Sequence, residues 1–183
     1  MKTSCYAQKA DIMRYEILYN HGGVYFDIDF EVFRSIEPLL TNDLIVCNED
    51  KHVHKIMTNA FIACTRGNPE LKKCVEAVKY VNFKSKSINV TTGPHFFRRC
   101  IDLNSAGVTV LPTRFIYPVH FKEDQTKPFV PSDTTYARHH WFKSWGESRR
   151  LSDATTLLIV FATVCLLSAI TCGAVAYLKT IKK

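Results

Sequence analysis

The chain holds seven cysteines, yet no two of them stand as a CxxC pair, so a zinc knuckle has no sequence from which to form. Its formal net charge is +7, but Lys and Arg are scattered. No basic run with interleaved aromatics marks a nucleic-acid surface. Such charge suits instead an anionic partner: a nucleotide diphosphate, a phospholipid head group or a membrane surface. Residues 1–9 are short and polar and run straight into a helical pattern, so no N-terminal signal is expected from them. No side-chain nucleophile stands out. Cys5, Cys47, Cys64, Cys74 and Cys100 stay open between buried thiols and one or two disulfides, which spacing alone does not decide.

What is present centres on residues 10–31, ADIMRYEILYNHGGVYFDIDFE. Ala10, Met13 and Ile17 fall at i, i+3 and i+7, which predicts one apolar helix face. Asp11 and Arg14, one turn apart, project together from a neighbouring face. Gly22 and Gly23 end the helix, and Val24, Tyr25 and Phe26 have strand character. Asp27 and Asp29 follow. On a regular strand, i and i+2 face the same way, so both carboxylates are expected to meet one hard cation, Mg²⁺ or Mn²⁺, which accepts phosphate oxygens as further ligands.

The whole block resembles the signature of the DXD-containing sugar-binding glycosyltransferases, family 32, a group that includes inositol phosphoceramide mannosyltransferases, α-1,6-mannosyltransferases and capsular polysaccharide enzymes. The resemblance implies that Asp11 and Arg14 contact the donor sugar, that Tyr25 packs near the ribose, and that Asp27 and Asp29 bind metal and nucleotide. It extends to Asn59, near donor and acceptor, and to Thr92-Gly93-Pro94, where a helix begins beside the active site. It ends at residues 136–145, where His139 and Ser144 would complete the metal shell or meet the β-phosphate and Trp145 would close over the donor.

The implied fold is α/β, a partial GT-A (Rossmann-like) core with a mixed, mainly parallel sheet. Enzymes of that type build the nucleoside pocket from a βαβ unit before the DXD strand. No such unit precedes the helix here, so an N-terminally truncated core is the expectation.

Along the remaining chain, residues 43–47 and 58–64 read as apolar strands, the latter entered by Asn59. Asn68 and Pro69 open a helix over 70–81. Ile88–Thr91 reads as strand, residues 95–101 as helix, 108–111 as strand and 112–118 as extended. His52 and His54 read as solvated. Residues 154–178 carry no charge, which predicts a transmembrane helix between a catalytic domain over 1–150 and a basic tail over 179–183. The resemblance places that domain in the Golgi or ER lumen.

The implied reaction is transfer of a hexose, with retention of configuration, from a nucleotide-sugar (GDP-mannose first, UDP-hexose next) to a lipid such as inositol phosphoceramide or to a glycan. Mn²⁺ or Mg²⁺ would be the cofactor. Two other readings remain: an inactive membrane-anchored remnant that acts as a binding protein, and a metal-dependent phosphohydrolase.

Overall fold

Two short runs, LIVC and FIAC, are apolar at every position and therefore belong inside. In the computed structural model, which describes residues 3, 5–49, 57–84 and 87–142, they form β3 (Leu44–Cys47) and β4 (Phe61–Cys64), and every residue of both is buried. They are the two inner strands of a four-stranded sheet, with β1 (Gly23–Phe26) on one edge and β5 (Val108–Leu111) on the other, in the order β1-β4-β3-β5. Strand alternation gives each face its own core. Leu44, Val46, Ile62 and Cys64 pack with Tyr15, Leu71 and Phe97. Ile45, Cys47, Phe61 and Ala63 pack with Leu111, Ile116 and Tyr117. A separate antiparallel ribbon pairs β2 (Phe30–Val32) with β6 (Ala137–His139).

The sheet is mixed, but not mainly parallel as expected. β1–β4 and β3–β4 are antiparallel, and only β3–β5 is parallel. β5 is reached only after α2 (Pro69–Val78), α3 (Ile88–Thr91) and α4 (Pro94–Cys100), the long crossover that a parallel neighbour requires. At the start of α2, the Asn68 side chain accepts from the backbone of Glu70 and Leu71, as the sequence predicts.

Helix α1 (Tyr6–His21) exists where the pattern puts it, but it buries a different face. Met13 and Ile17 are 53% and 49% exposed, whereas Ile12, Tyr15 and Leu18 are buried together with the charged Asp11 and Arg14. Polar partners contributed by Asn59, on the segment entering β4, and by the α3–α4 junction make that face tolerable, and no apolarity count registers them. Gly22 ends the helix at φ +70, and a Cβ there would meet the Arg66 nitrogen at 2.6 Å, so the position excludes any side chain.

Two local expectations fail. Ile88–Thr91 is a single helical turn rather than a strand, closed by Thr91 Oγ1 donating to the Ser87 and Ile88 carbonyls. The supposedly extended 112–118 segment contains α5 (Thr113–Ile116), one turn started after Pro112.

The membrane-spanning helix and the single-pass, Golgi or ER membrane localisation built on it are corrected as well. Among the described residues no helix is long and apolar enough to cross a membrane. The stretch on which they rested, residues 154–178, lies outside the described residues. The chain divides into two units, Met1–Phe142 and Lys143–Lys183, and everything described falls in the first.

Candidate functional site

Asp27 continues the β1 ladder by one bond, its N–H donating to the Ala60 carbonyl at 2.9 Å. The chain then turns, with Phe30 N–H returning to the Asp27 carbonyl at 3.2 Å. Asp27 and Asp29 therefore converge through a turn and not along a strand pleat, and Ile28 between them points fully into solvent. The turn delivers Asp29 to β6. Asp29 Oδ1 lies 2.9 Å from His139 Nε2, and one ligand atom from each of Asp27, Asp29 and His139 falls within 4.8 Å of the others.

Several contacts fix this arrangement. Asp29 Oδ2 accepts from Phe142 N–H at 3.0 Å, and its carbonyl accepts from His140 N–H at 2.9 Å. Trp141 has φ 57, a conformation that is strained for a bulky residue. Its indole donates to the Val119 carbonyl at 2.9 Å. The His139 ring stacks on Phe30 (4.5 Å between centroids) and meets the Trp141 ring edge-on (4.2 Å). Burial lowers the His139 pKa, opposed by Asp29 and Asp27. His139 presents Nε2 to Asp29, and its Nδ1 is buried without a hydrogen-bond partner.

Behind the turn lies a second polar cluster. Arg14 Nη2 is 3.1 Å from Asp27 Oδ1 and 3.4 Å from Asp11 Oδ1. Nη1 donates to the Asn59 carbonyl at 2.7 Å, and the guanidinium lies 4.4 Å from the centroid of the Tyr25 ring. Asp11 Oδ1 accepts from Asn59 Nδ2 at 2.7 Å and Oδ2 from Thr92 Oγ1 at 2.8 Å. Tyr15 accepts from Asn59 and donates to the Thr92 carbonyl. Tyr25 donates to Asp27 Oδ1 at 2.7 Å. Burial raises the Asp11 pKa, with Arg14, Thr92 and Asn59 opposing. Burial would lower that of Arg14, but Asp27 and Asp11 outweigh it and hold it up.

Asp11, Arg14, Tyr25, Asp27 and Asn59 thus form one bonded set, and Asp29 with His139 abuts it through the turn. Gly93 is buried beside them, but its neighbour Thr92 makes the contact with Asp11. Ser144 and Trp145, like His52 and His54, lie outside the described residues. Sequence reasoning singled out the Thr92-Gly93-Pro94 landmark but chose Gly93 from it, and it missed Tyr15 and Trp141 as site residues. Tyr15 left a trace, one turn after Asp11 on the same side of the helix.

The donors fit a divalent cation. Two carboxylates supply hard oxygens, and an imidazole is a ligand that Mn²⁺ accepts beside them. Asp27 and Asp29 are 26% and 14% exposed at their side chains, which leaves the turn reachable from solvent.

The chain is 24% identical over 156 residues to an uncharacterised glycosyltransferase of Acanthamoeba polyphaga mimivirus, covering 82% of this chain and 62% of that one. It is 31% identical over 94 residues to inositol phosphoceramide mannosyltransferase 3 of Schizosaccharomyces pombe, 49% of this chain and 25% of that protein. To lactosylceramide 4-alpha-galactosyltransferase of Pongo pygmaeus it is 26% identical over 168 residues, 81% and 73% of the two chains. The matched stretch thus spans less than two thirds of the viral relative and a quarter of the yeast one. Residues 2–46, which carry Asp11, Arg14, Asp27 and Asp29, match the family model of that same chemistry. The matched model is that of the glycosyltransferase sugar-binding region containing the DXD motif.

Proposed function

We propose that the chain is a metal-dependent glycosyltransferase that moves a hexose from a nucleotide-sugar to a glycan or lipid acceptor. The observation that carries the reading is the convergence of Asp27, Asp29 and His139 on one point within and beside the matched sugar-binding segment. Asp27 and Asp29, with His139, would hold Mn²⁺ or Mg²⁺. Bound there, the ion supplies charge neutralisation to a departing nucleoside diphosphate.

The protein's own part is positioning. Arg14 braces Asp27 from behind, and the Phe142 amide and the His139 imidazole brace Asp29, so neither carboxylate has to reorganise when a charged ligand arrives. Asp11 belongs to that brace, because both of its oxygens are already engaged by Asn59, Thr92 and Arg14. Mannose from GDP-mannose is the favoured donor and UDP-hexose the next. The names of the mannosyl- and galactosyltransferase relatives support both, and they extend the acceptor to a ceramide-type lipid such as inositol phosphoceramide.

The test is an assay with radiolabelled GDP-mannose, UDP-galactose and UDP-glucose, with Mn²⁺ and with chelator, offering solubilised lipid and glycan acceptors. Sugar release or transfer should need the metal, and Asp29→Ala should lower it by about 100-fold or more, since ion stabilisation of the leaving group is worth several kcal/mol. Equal incorporation by the variant would remove the metal role.

A further inference from the structure

Across β6 from His139 lies a basic side chain with no part in the acidic turn. Neighbouring residues on a strand point to opposite faces, so Arg138 looks away from the Asp29–His139 pair. It is only 6% exposed, and its Nε has no hydrogen-bond partner. Its one hydrogen bond among the described residues runs from Nη2 to the Gln125 carbonyl at 3.2 Å. The guanidinium rests on the Phe129 ring, 5.0 Å from its centroid. A buried cation demands a counter-charge, and the obvious one is turned elsewhere. Glu31 faces Arg138 in register across the ribbon, yet its carboxylate sits 3.3 Å from His140 Nε2.

Arg138 lines a cleft of about 380 Å³ together with Val119, Lys127, Phe129 and two rim acids, Glu123 and Asp124. That volume is in the range of small-molecule sites, roughly 300–1,000 Å³. Both rim acids are exposed and engaged locally. Glu123 Oε1 accepts from His120 N–H, and Asp124 Oδ1 accepts from the Thr126 amide and hydroxyl. Lys127 makes no ion pair among the described residues. The cleft thus has Arg138 and the Phe129 ring on its inner side and two carboxylates at its rim, still charged but turned to local hydrogen bonds, with Lys127 to offset them.

We propose that this cleft is an oxyanion-binding subsite that takes a phosphate or carboxylate group against the Arg138 guanidinium, with Lys127 as a second, mobile cation. Nε–H, buried and unpartnered in the free chain, and the second hydrogen of Nη2 form the side-on edge from which carboxylates and phosphates accept two parallel bonds, so binding draws that edge toward the cleft.

The experiment is a titration of the full chain, kept metal-free with EDTA, using inorganic phosphate and separately acetate. Sodium chloride at equal ionic strength is the control, and the assigned Arg138 Nε–H resonance is followed by NMR. Phosphate should move that resonance saturably, chloride should not, and the site should weaken about tenfold in Arg138→Gln, read there from neighbouring amides. Lys127→Ala, a change at an exposed side chain, should weaken phosphate by a factor of about three; it decides the matter if Arg138→Gln does not fold. Saturation by acetate as well as phosphate extends the site to carboxylates. Phosphate acting no differently from chloride, or acting equally in both variants and wild type, overturns the proposal. Loss of the shift in Asp29→Ala also overturns it, because the phosphate would then be at the acidic turn. Survival of the shift in that variant keeps this inference independent of the transferase assay.

Discussion

Two polar clusters meet at Asp27, and they are built on opposite plans. Behind it, Asp11, Arg14, Tyr15, Asn59 and Thr92 bond to one another until Asp11 has both oxygens engaged, and the Arg14 and Asp11 side chains are 7% and 8% exposed. In front, Asp27, Asp29 and His139 bring one ligand atom each within 4.8 Å of the others, and the two acids are 26% and 14% exposed at their side chains. A network in which each member already holds the next is suited to act as scaffold. A set of converging acceptors open to solvent is a place for a cation. Arg14 belongs to both clusters, so the back network sets where the front one points.

The difference is broken most severely at Arg14. Arg14→Met keeps much of the side chain's bulk but strands Asp11 in the interior without its counter-charge. Removing one partner of a buried ion pair costs about 3–5 kcal/mol, and both partners here are too buried for water to repair the loss. Urea unfolding should show a drop of that size, together with weaker Mn²⁺ binding as Asp27 loses its brace. A loss below about 1 kcal/mol would mean that the back network is not the scaffold described.

Asp29→Asn acts on the front cluster alone. The amide keeps the shape and can still accept from Phe142 N–H, so stability should change by less than about 1 kcal/mol. Mn²⁺ affinity, read from the free-ion signal in electron paramagnetic resonance, should fall by about 10- to 100-fold, the range over which metal sites answer to altered ligand shells. The two variants should therefore separate, one damaging stability first and the other binding first. Matching profiles would merge the two clusters into one.

Much of this was legible in the sequence, and the reasons differ from residue to residue. The strands at 44–47 and 61–64 announce themselves, because LIVC and FIAC hold no polar residue and have nowhere to go but the interior. Asp11 and Arg14 could be paired from their spacing, and Asp27 with Asp29 from theirs, although the mechanism proved to be a turn and not a pleat. The partnership of Asp29 with His139 spans 110 positions and rests on a ribbon that no local pattern encodes; only resemblance to a known family pointed to it. The buried face of α1 was misread because apolarity was counted, while the partners that let Asp11 and Arg14 be buried come from Asn59 and Thr92, far along the chain. The turn at Ile88–Thr91 was misread for a similar reason. Its β-branched residues favour a strand, but the Thr91 hydroxyl bonds back to the Ser87 and Ile88 carbonyls and closes the turn locally.

The smallest change, and the most discriminating between the two clusters, is Tyr25→Phe. The Tyr25 hydroxyl donates to Asp27 Oδ1, the same oxygen that Arg14 approaches, so the phenol touches scaffold and site at one atom. Asp27 is partly open to water, which can replace the lost donor, and the cost should stay near or below 1 kcal/mol. Its dependence on pH carries the information. Burial and the neighbouring Asp27 raise the phenol above its ordinary value of 10.0, with Arg14 opposing. A group whose folded pKa is raised gives stability that is fully present below the unfolded value and lost as pH climbs through the folded one. The wild type should therefore hold a constant advantage over Tyr25→Phe from pH 6 to about 9, and that advantage should shrink as pH passes 10. The other tyrosines titrate in both proteins and cancel. An advantage that grows in alkali would mean that the phenol ionises more easily in the folded chain, and that Arg14 rather than burial and Asp27 governs the junction between the two clusters.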